Sequence, residues 1–327
     1  MSVRPRTLRS YRDAVRLHIE PELGKIPLSK LSAQHVQAFV NAKLKETKRT
    51  KKATPKKNAA ALKHPADGAT IEAKPATLSP RTVQYLQAVL SRALNRAVKW
   101  EMIARNVARL ATAPRVPRHD ISPLSVDEAR QFLDAINGSR NEYTVAIAMG
   151  LRKGEALGLR WVDIDLDAGA LRVRYALQRD KGAVQLVEPK SDRSRRTLAI
   201  PAVVTRALRA HRVQQLQERL LAGSRWQETG HVFTTGIGTP MDERAVSKQF
   251  KQALKTAGVR SMRFHDLRHS CATLLLAQGV HPRVVMETLG HSQISLTMNT
   301  YSHVLPTVLR EAADKMDAVF AAGQKTA

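Results

Sequence analysis

Cysteine, acidic residues and long apolar runs are all scarce in this chain of 327 residues. Its single cysteine, Cys271, excludes an internal disulfide and fits a reducing compartment such as the cytoplasm. Because Cys271 lies in an apolar helical run, we expect it to be a small core residue. No apolar run reaches the roughly 18 residues that a membrane span needs, and the Arg-rich N-terminus has no apolar segment typical of a signal peptide.

The shortage of acidic residues leaves a strongly basic chain. Asp and Glu number 28 against 54 Lys and Arg, which gives a formal net charge of +26. This charge favours a polyanionic partner such as nucleic acid. Hydrophobic residues make up 43% of the chain, enough for a sizeable core, so a disordered basic tail is disfavoured. The length fits two domains.

Helical periodicity marks the first third of the chain. An apolar stripe predicts a helix over residues 4–18, and we expect Pro21 and Gly24 to end it. Ser32 and Ser79 are predicted to cap two further helices. The second of these carries basic residues off its apolar stripe, where a phosphate backbone could reach them. They are Arg81, Arg92, Arg96 and Lys99.

The second half of the chain mixes helices with short strands. Ser125 followed by Glu128 predicts a helix that begins with a capping box. Alternating apolar residues predict strands over 171–176, 184–187 and 195–200, with a turn between the last two. The pattern therefore predicts a mostly α fold with a small β-sheet.

The stretch from Arg263 to Tyr301 holds the residues best suited to chemistry. His265 and Arg268 lie three positions apart and share one face of a helix, where they offer an imidazole and a guanidinium fork for a phosphate. His291 follows a glycine, and the Tyr301 hydroxyl could attack a well-held phosphate. Taken singly, such residues are more often structural, so the combination carries the signal.

That combination, His-x-x-Arg, then Leu-Gly-His, then Tyr, resembles the catalytic signature of the tyrosine recombinases, the phage-integrase family. The spacing matches as well as the residue types. Residues 150–155, Gly-Leu-Arg-Lys-Gly-Glu, resemble the first catalytic box of that family and place an arginine at Arg152. Lys190, at the predicted turn, matches the lysine of the family's β-hairpin. Residues 7–107 resemble its helical core-binding domain.

The resemblance implies a domain organisation. It gives a helical, DNA-binding core-binding domain in residues 1–113, which carries a flexible basic insertion at about 47–76, where lysines and prolines crowd together. A linker over 114–123 leads to a catalytic domain in residues 124–327 that ends in an amphipathic helix. Many phage-type integrases carry a small arm-binding domain before the point where Met1 stands, so we expect either a simpler member or a truncated sequence.

The resemblance also implies a mechanism. The six matching site residues are Arg152, Lys190, His265, Arg268, His291 and Tyr301. In the family, the two arginines clamp a scissile DNA phosphate, and the tyrosine attacks it to form a 3′-phosphotyrosyl link. The lysine protonates the leaving 5′-oxygen, and the histidines assist. This chemistry needs no cofactor and no metal.

The implied function is site-specific DNA recombination that integrates or excises a mobile element. The expected partners are double-stranded DNA at an attachment-type site, three further copies of the chain in a tetramer, and an accessory excision factor or host DNA-bending factor. The expected location is the cytoplasm, at the nucleoid, without membrane contact. Two alternatives stay open: a type IB topoisomerase-like enzyme that relaxes DNA, and a DNA-binding regulator without chemistry.

Overall fold

The computed structural model describes residues 3–45, 78–117, 122–136, 141–180, 182–189, 194–290, 314, 316 and 317. The predicted basic insertion, Lys190, His291, Tyr301 and nearly all of the predicted terminal helix lie outside these residues. The chain forms two compact units, Met1–His119 and Asp120–Ala327, called here the first and the second unit.

The first unit is helical. Its elements are α1 (Pro5–Ala14), a π-helical turn (Val15–Ile19), α2 (Glu20–Leu23), α3 (Ala33–Lys45) and α4 (Pro80–Lys99). The Ser79 hydroxyl accepts a hydrogen bond from the backbone N–H of Thr82, which confirms the predicted cap of α4. Val36 and Phe39 of α3 and Val83 of α4 are at most 2% exposed and lie in one apolar core.

The predicted helix end at Pro21 is wrong. The chain stays helical through the π-helical turn into α2, and Pro21 is the second residue of α2. A proline is tolerated in the first turn of a helix, where its missing N–H would have no intrahelical partner. The helical stretch ends at Leu23 with Gly24 as its C-cap, so the predicted end at Gly24 is confirmed.

The second unit combines helices with two small sheets. Its helices are α5 (Val126–Ala135), α6 (Asn141–Met149), α7 (Lys153–Leu157), α8 (Ala202–Ala222), α9 (Glu243–Thr256), α10 (Asp266–Ala277) and α11 (Pro282–Leu289). Its strands are β1 (Ile164–Asp165), β2 (Ala170–Val173), β3 (Ala176–Asp180), β4 (Ala183–Val187) and β5 (Arg196–Ala199). The predicted capping box of Ser125 and Glu128 is confirmed at the start of α5. The predicted fold class, mostly α with a small amount of β-structure, is also confirmed.

The predicted strands are close in position, but they form two sheets rather than the predicted single small sheet. The expected single strand over 171–176 is divided into β2 and β3, which belong to different sheets. β2 pairs antiparallel with β1 and β5, whereas β3 pairs antiparallel with β4. At the division, Arg174 donates to the buried carboxylate of Asp163 over 3.3 Å, so its side chain serves an ion pair rather than a sheet face. Lys190 therefore lies in the sequence between two strands of different sheets.

The cores of both units are apolar. Phe132, Tyr143, Phe250 and Phe264 pack with ring centroids 5.3 to 6.0 Å apart at the centre of the second unit. In the described part of the chain, none of the helices has both the length and the apolar character that crossing a bilayer requires.

Candidate active site

Arg268, near the start of α10, is a charged side chain that is only 2% exposed. Its Nη1 donates a hydrogen bond of 2.8 Å to the carbonyl oxygen of Gly150, and its Nη2 donates one of 2.6 Å to that of Leu289. The turn before α10 is fixed by Asp266, whose carboxylate accepts the backbone N–H and the guanidinium of Arg263. These bonds orient the Arg268 guanidinium before any ligand arrives.

Gly150 brings the end of α6 against α10 and α11. Its φ is +61°, a left-handed conformation that side chains rarely adopt. A Cβ at this position would lie 2.5 Å from Cδ2 of Leu289 and 3.1 Å from Sγ of Cys271. Burial raises the pKa of the Cys271 thiol to about 12, in keeping with the predicted packing role of this residue. The glycine is required for the close approach that lets Arg268 reach the Gly150 carbonyl.

Arg152, just before α7, is held by Glu155. Nη1 of Arg152 donates to Oε1 of the carboxylate over 2.6 Å, and its backbone N–H donates to Oε2 over 3.1 Å. Arg196 of β5 donates to the same Oε2 over 3.1 Å. Burial alone would raise the pKa of Glu155, but the charges and hydrogen bonds of Arg196 and Arg152 outweigh it, so the pKa lies below its usual value. Glu155 is therefore a buried anion between two guanidiniums.

Three arginines from different elements converge on the C-terminal end of α11, and we call Arg152, Arg196 and Arg268 the arginine cluster. Arg196 donates from Nε to the carbonyl oxygen of Thr288 over 2.7 Å, Arg268 bonds that of Leu289, and Nη2 of Arg152 lies 3.4 Å from that of Gly290. The end of a helix carries partial negative charge on its last carbonyls, so cations are stabilised there. His291 is the next residue in the chain.

Two histidines at the start of α10 lie close enough to this cluster to feel its charge. The rings of His265 and His269 lie 5.1 Å apart and almost perpendicular. Burial lowers the pKa of His265, and the positive charges of Arg268 and Arg152 lower it further against the opposing charge of Asp266. Burial, and repulsion from His265 when that ring is protonated, lower the pKa of His269 to about 4. Both imidazoles are therefore neutral near pH 7, and a neutral His265 can accept a proton.

The structure brings together three of the six predicted site residues, Arg152, His265 and Arg268. Lys190, His291 and Tyr301 lie outside the described residues, so their places in the site stay predictions. Within the part of the chain that the structure describes, no group of three or more His, Cys, Asp or Glu side chains is arranged to hold a metal ion.

Arg196 is the residue that sequence reasoning missed. The sequence predicts only that it lies in the strand over 195–200, next to Arg195. The signal lay in the strand period, because residues two apart point to the same face of a sheet. Leu198 is buried, which places Arg196 on the inner face with it, whereas Arg195 pairs with Glu188 at the surface.

Comparisons with known proteins identify the family to which the chain is similar. The sequence profile described as "Phage integrase family" matches residues 123–307, and that described as "Phage integrase, N-terminal SAM-like domain" matches residues 1–44. A "Tyrosine recombinase XerC-like" protein of Caldanaerobacter subterraneus subsp. tengcongensis is 35% identical over 262 residues, which cover 74% of this chain and 67% of that protein. An "Integrase" of Saccharopolyspora erythraea is 28% identical over an alignment covering 98% of this chain and 79% of that protein.

Solved structures share the fold at lower sequence identity. The Tn1549 transposon integrase in complex with a circular intermediate DNA has a TM-score of 0.73 and 19% identity, with 96% of this chain and 95% of that chain covered. A λ integrase tetramer bound to a Holliday junction has a TM-score of 0.57 and 19% identity, with 90% of this chain and 74% of that chain covered.

Proposed function

Because the chain belongs to the phage integrase family of tyrosine site-specific recombinases, we propose that it cuts and rejoins duplex DNA through a 3′-phosphotyrosyl link on Tyr301. This reaction would integrate or excise a mobile element. The observation that carries the proposal is the arginine cluster close to His265. Arg152 and Arg268 are held within one cluster by Glu155 and by backbone carbonyls, and positive charge placed in advance is what a phosphoryl transition state requires.

In the proposed cleavage step, Arg152 and Arg268 bind the non-bridging oxygens of the scissile phosphate. The Tyr301 hydroxyl loses its proton to His265, and its oxygen attacks phosphorus. The bond to the 5′-oxygen breaks, and Lys190 donates a proton to that oxygen as it leaves. His291 donates a hydrogen bond to the phosphate.

Rejoining is the reverse of cleavage on a new partner. The 5′-hydroxyl of a second strand gives its proton to Lys190 and attacks the phosphotyrosine. The bond to Tyr301 breaks, His265 returns the proton to the tyrosine oxygen, and a phosphodiester replaces the one that was cut. The energy of the broken bond is kept in the phosphotyrosine, so the cycle uses neither ATP nor a metal ion.

The assembly is proposed by analogy with the relatives. We assign duplex binding to the first unit, whose α4 carries Arg92 and Arg96 at the surface, and strand exchange to the second. The λ integrase tetramer on a Holliday junction supports a tetramer on DNA as the working form. The enzyme would act on the chromosome in the cytoplasm, with an accessory excision factor or a host DNA-bending factor.

Trapping the covalent intermediate tests this function. Sheared DNA from the source genome is incubated with the protein in excess EDTA, and fragments that stay attached to protein in SDS are sequenced to find the site. A nicked duplex with that site should then accumulate adduct, because the severed strand end is lost and cannot be rejoined. Tyr301→Phe should bind the duplex but form no adduct, since only the attacking hydroxyl is removed.

The controls separate the alternatives. Tyr175→Phe, at a tyrosine whose ring contacts the guanidiniums of Arg160 and Arg174, should form adduct at the wild-type rate. Adduct formation by Tyr301→Phe would place the nucleophile elsewhere, and a requirement for magnesium would point to a metal-dependent nuclease. Relaxation of a plasmid without the site would favour a topoisomerase, and binding without any adduct would favour a regulator.

A further inference from the structure

Arg196 makes three hydrogen bonds that join separate parts of the candidate site. Its side chain is only 7% exposed. Nη2 donates to Glu155, Nε donates to the carbonyl oxygen of Thr288, and Nη1 donates to that of Ser194 over 3.2 Å. One planar guanidinium thus links α7, the end of α11 and its own strand, a geometry that a single ammonium cannot reproduce.

The effect of Arg196 on Arg152 is electrostatic as well as geometric. Glu155 carries a buried negative charge close to the guanidinium that would bind the phosphate. With Arg152 as the sole partner, that carboxylate would cancel the charge of Arg152. Because Arg196 also neutralises Glu155, the charge of Arg152, whose side chain is 39% exposed, remains available to an incoming anion.

We propose that Arg196 is a positioning residue for strand cleavage: it holds Glu155, and through Glu155 the guanidinium of Arg152, and it anchors the end of α11 that leads to His291. This inference rests on the proposed function. Arg196 itself does not touch the scissile phosphate. Its loss should leave DNA binding intact and weaken the neutralisation of charge in the transition state.

The test compares two scissile groups in a nicked duplex that carries the identified site. One is the normal phosphodiester. The other is a methylphosphonate, in which a methyl group replaces one charged oxygen and reduces the need for positive charge. Arg196→Met should cleave the phosphodiester about 10²-fold more slowly than wild type, because a misplaced clamp costs this much. On the methylphosphonate it should approach the wild-type rate, whereas a general loss of folding would slow both reactions equally.

The neighbouring Arg195 provides a matched control. It pairs with Glu188 over 2.6 Å, and both side chains are more than half exposed, so Arg195→Met should cleave both substrates as wild type does. Arg196→Lys keeps the charge but cannot bond Glu155 and Thr288 together. Its cleavage rate should therefore fall less than that of Arg196→Met, and the fall should again be larger on the phosphodiester than on the methylphosphonate.

Adduct formation by wild type tests the proposed function, whereas the comparison of the two substrates tests the role of Arg196. If wild type forms no adduct, the proposed function fails. If wild type forms adduct and Arg196→Met either matches it or is slowed equally on both substrates, the inference alone is overturned. Should Arg196→Met not fold, as judged by its thermal unfolding, Arg196→Lys is compared on the two substrates instead. Failure of both variants to fold would assign Arg196 a purely structural role and overturn the inference.

Discussion

The two units of the chain hold their arginines in different ways. In the first unit, Arg92 and Arg96 of α4 lie at the surface, with their guanidiniums 5.5 Å and 5.0 Å from the ring centres of Tyr11 and Trp100. In the second unit, Arg268 is buried and bonded to two backbone carbonyls. Arg92 also donates one hydrogen bond of 2.9 Å to the exposed Tyr11 hydroxyl. A ring face or one bond at the surface fixes a cation loosely, whereas two directed bonds to buried carbonyls fix both its position and its plane.

This difference suggests a division of labour. Surface arginines can follow a phosphate backbone whose position varies, and they provide affinity that depends on salt. Buried arginines place charge at one point and can distinguish a transition state from a ground state. Arginine stays protonated in proteins, however, so neither group can supply a proton. The cleavage reaction therefore needs a separate proton donor in the second unit, and Lys190 is the predicted one.

The largest effect is expected at Lys190. Lys190→Ala should slow cleavage of a normal phosphodiester by roughly 10²–10⁴, as for a lost general acid. A substrate with sulfur at the 5′-bridging position should restore a rate close to wild type, because a thiolate leaves without protonation. Single-turnover cleavage of the two substrates measures both rates.

Lys181→Ala is the control for Lys190, since it removes a lysine that follows β3 in the sequence, and it should cleave both substrates as wild type does. If sulfur gives Lys190→Ala no rescue, Lys190 holds the phosphate or only the turn. The proton donor must then be sought at His265. The proposed division, in which arginines hold charge and a lysine supplies the proton, would be wrong.

A smaller effect is expected at the buried arginine. Arg268→Lys should slow cleavage by about 10²–10³, the usual cost of removing one pre-placed donor to a transition state, while DNA affinity changes little. A lysine cannot bond both Gly150 and Leu289 and still face a phosphate. Cleavage under single turnover and fluorescence anisotropy on the same duplex separate the two quantities.

Arg283→Lys is the matched control for Arg268, because Arg283 pairs with Glu287 at the surface of α11. An Arg268→Lys variant that loses affinity as strongly as rate would show that Arg268 binds the ground state equally. Buried and surface arginines would then differ in location but not in role.

Local features of the fold could be read from the sequence. The caps at Ser79 and Ser125 depend on residues within one helical turn, so a few letters determine them. Strand pairing could not be read in the same way. The alternation over residues 171–176 continues across the point where the chain leaves one sheet for another, and only distant partners such as β5 reveal the division.

The candidate site shows the same limit. The family motif places Arg152 and Arg268 in the sequence, with a glutamate, Glu155, three residues after Arg152. The motif does not contain the contacts of Arg196 with Glu155 and Thr288, which are 41 and 92 positions away. A burial pattern indicates that Arg196 faces inward, but only the packed structure identifies the groups it meets there.

The smallest effect is expected in the first unit, at Arg92 and Arg96. If these side chains contact phosphates, each change to alanine should weaken DNA binding by a few-fold and reduce the slope of log affinity against log salt by about one. The cleavage rate of bound DNA should stay at the wild-type value, because neither guanidinium belongs to the arginine cluster.

Arg92→Lys is the matched control: it loses the fork that bonds the Tyr11 hydroxyl at 2.9 Å but keeps the charge, so the slope should be unchanged. A slope that stays constant in both alanine variants would mean that α4 does not carry the phosphate contacts, and a slower cleavage of bound DNA would mean that surface arginines also act in the chemistry.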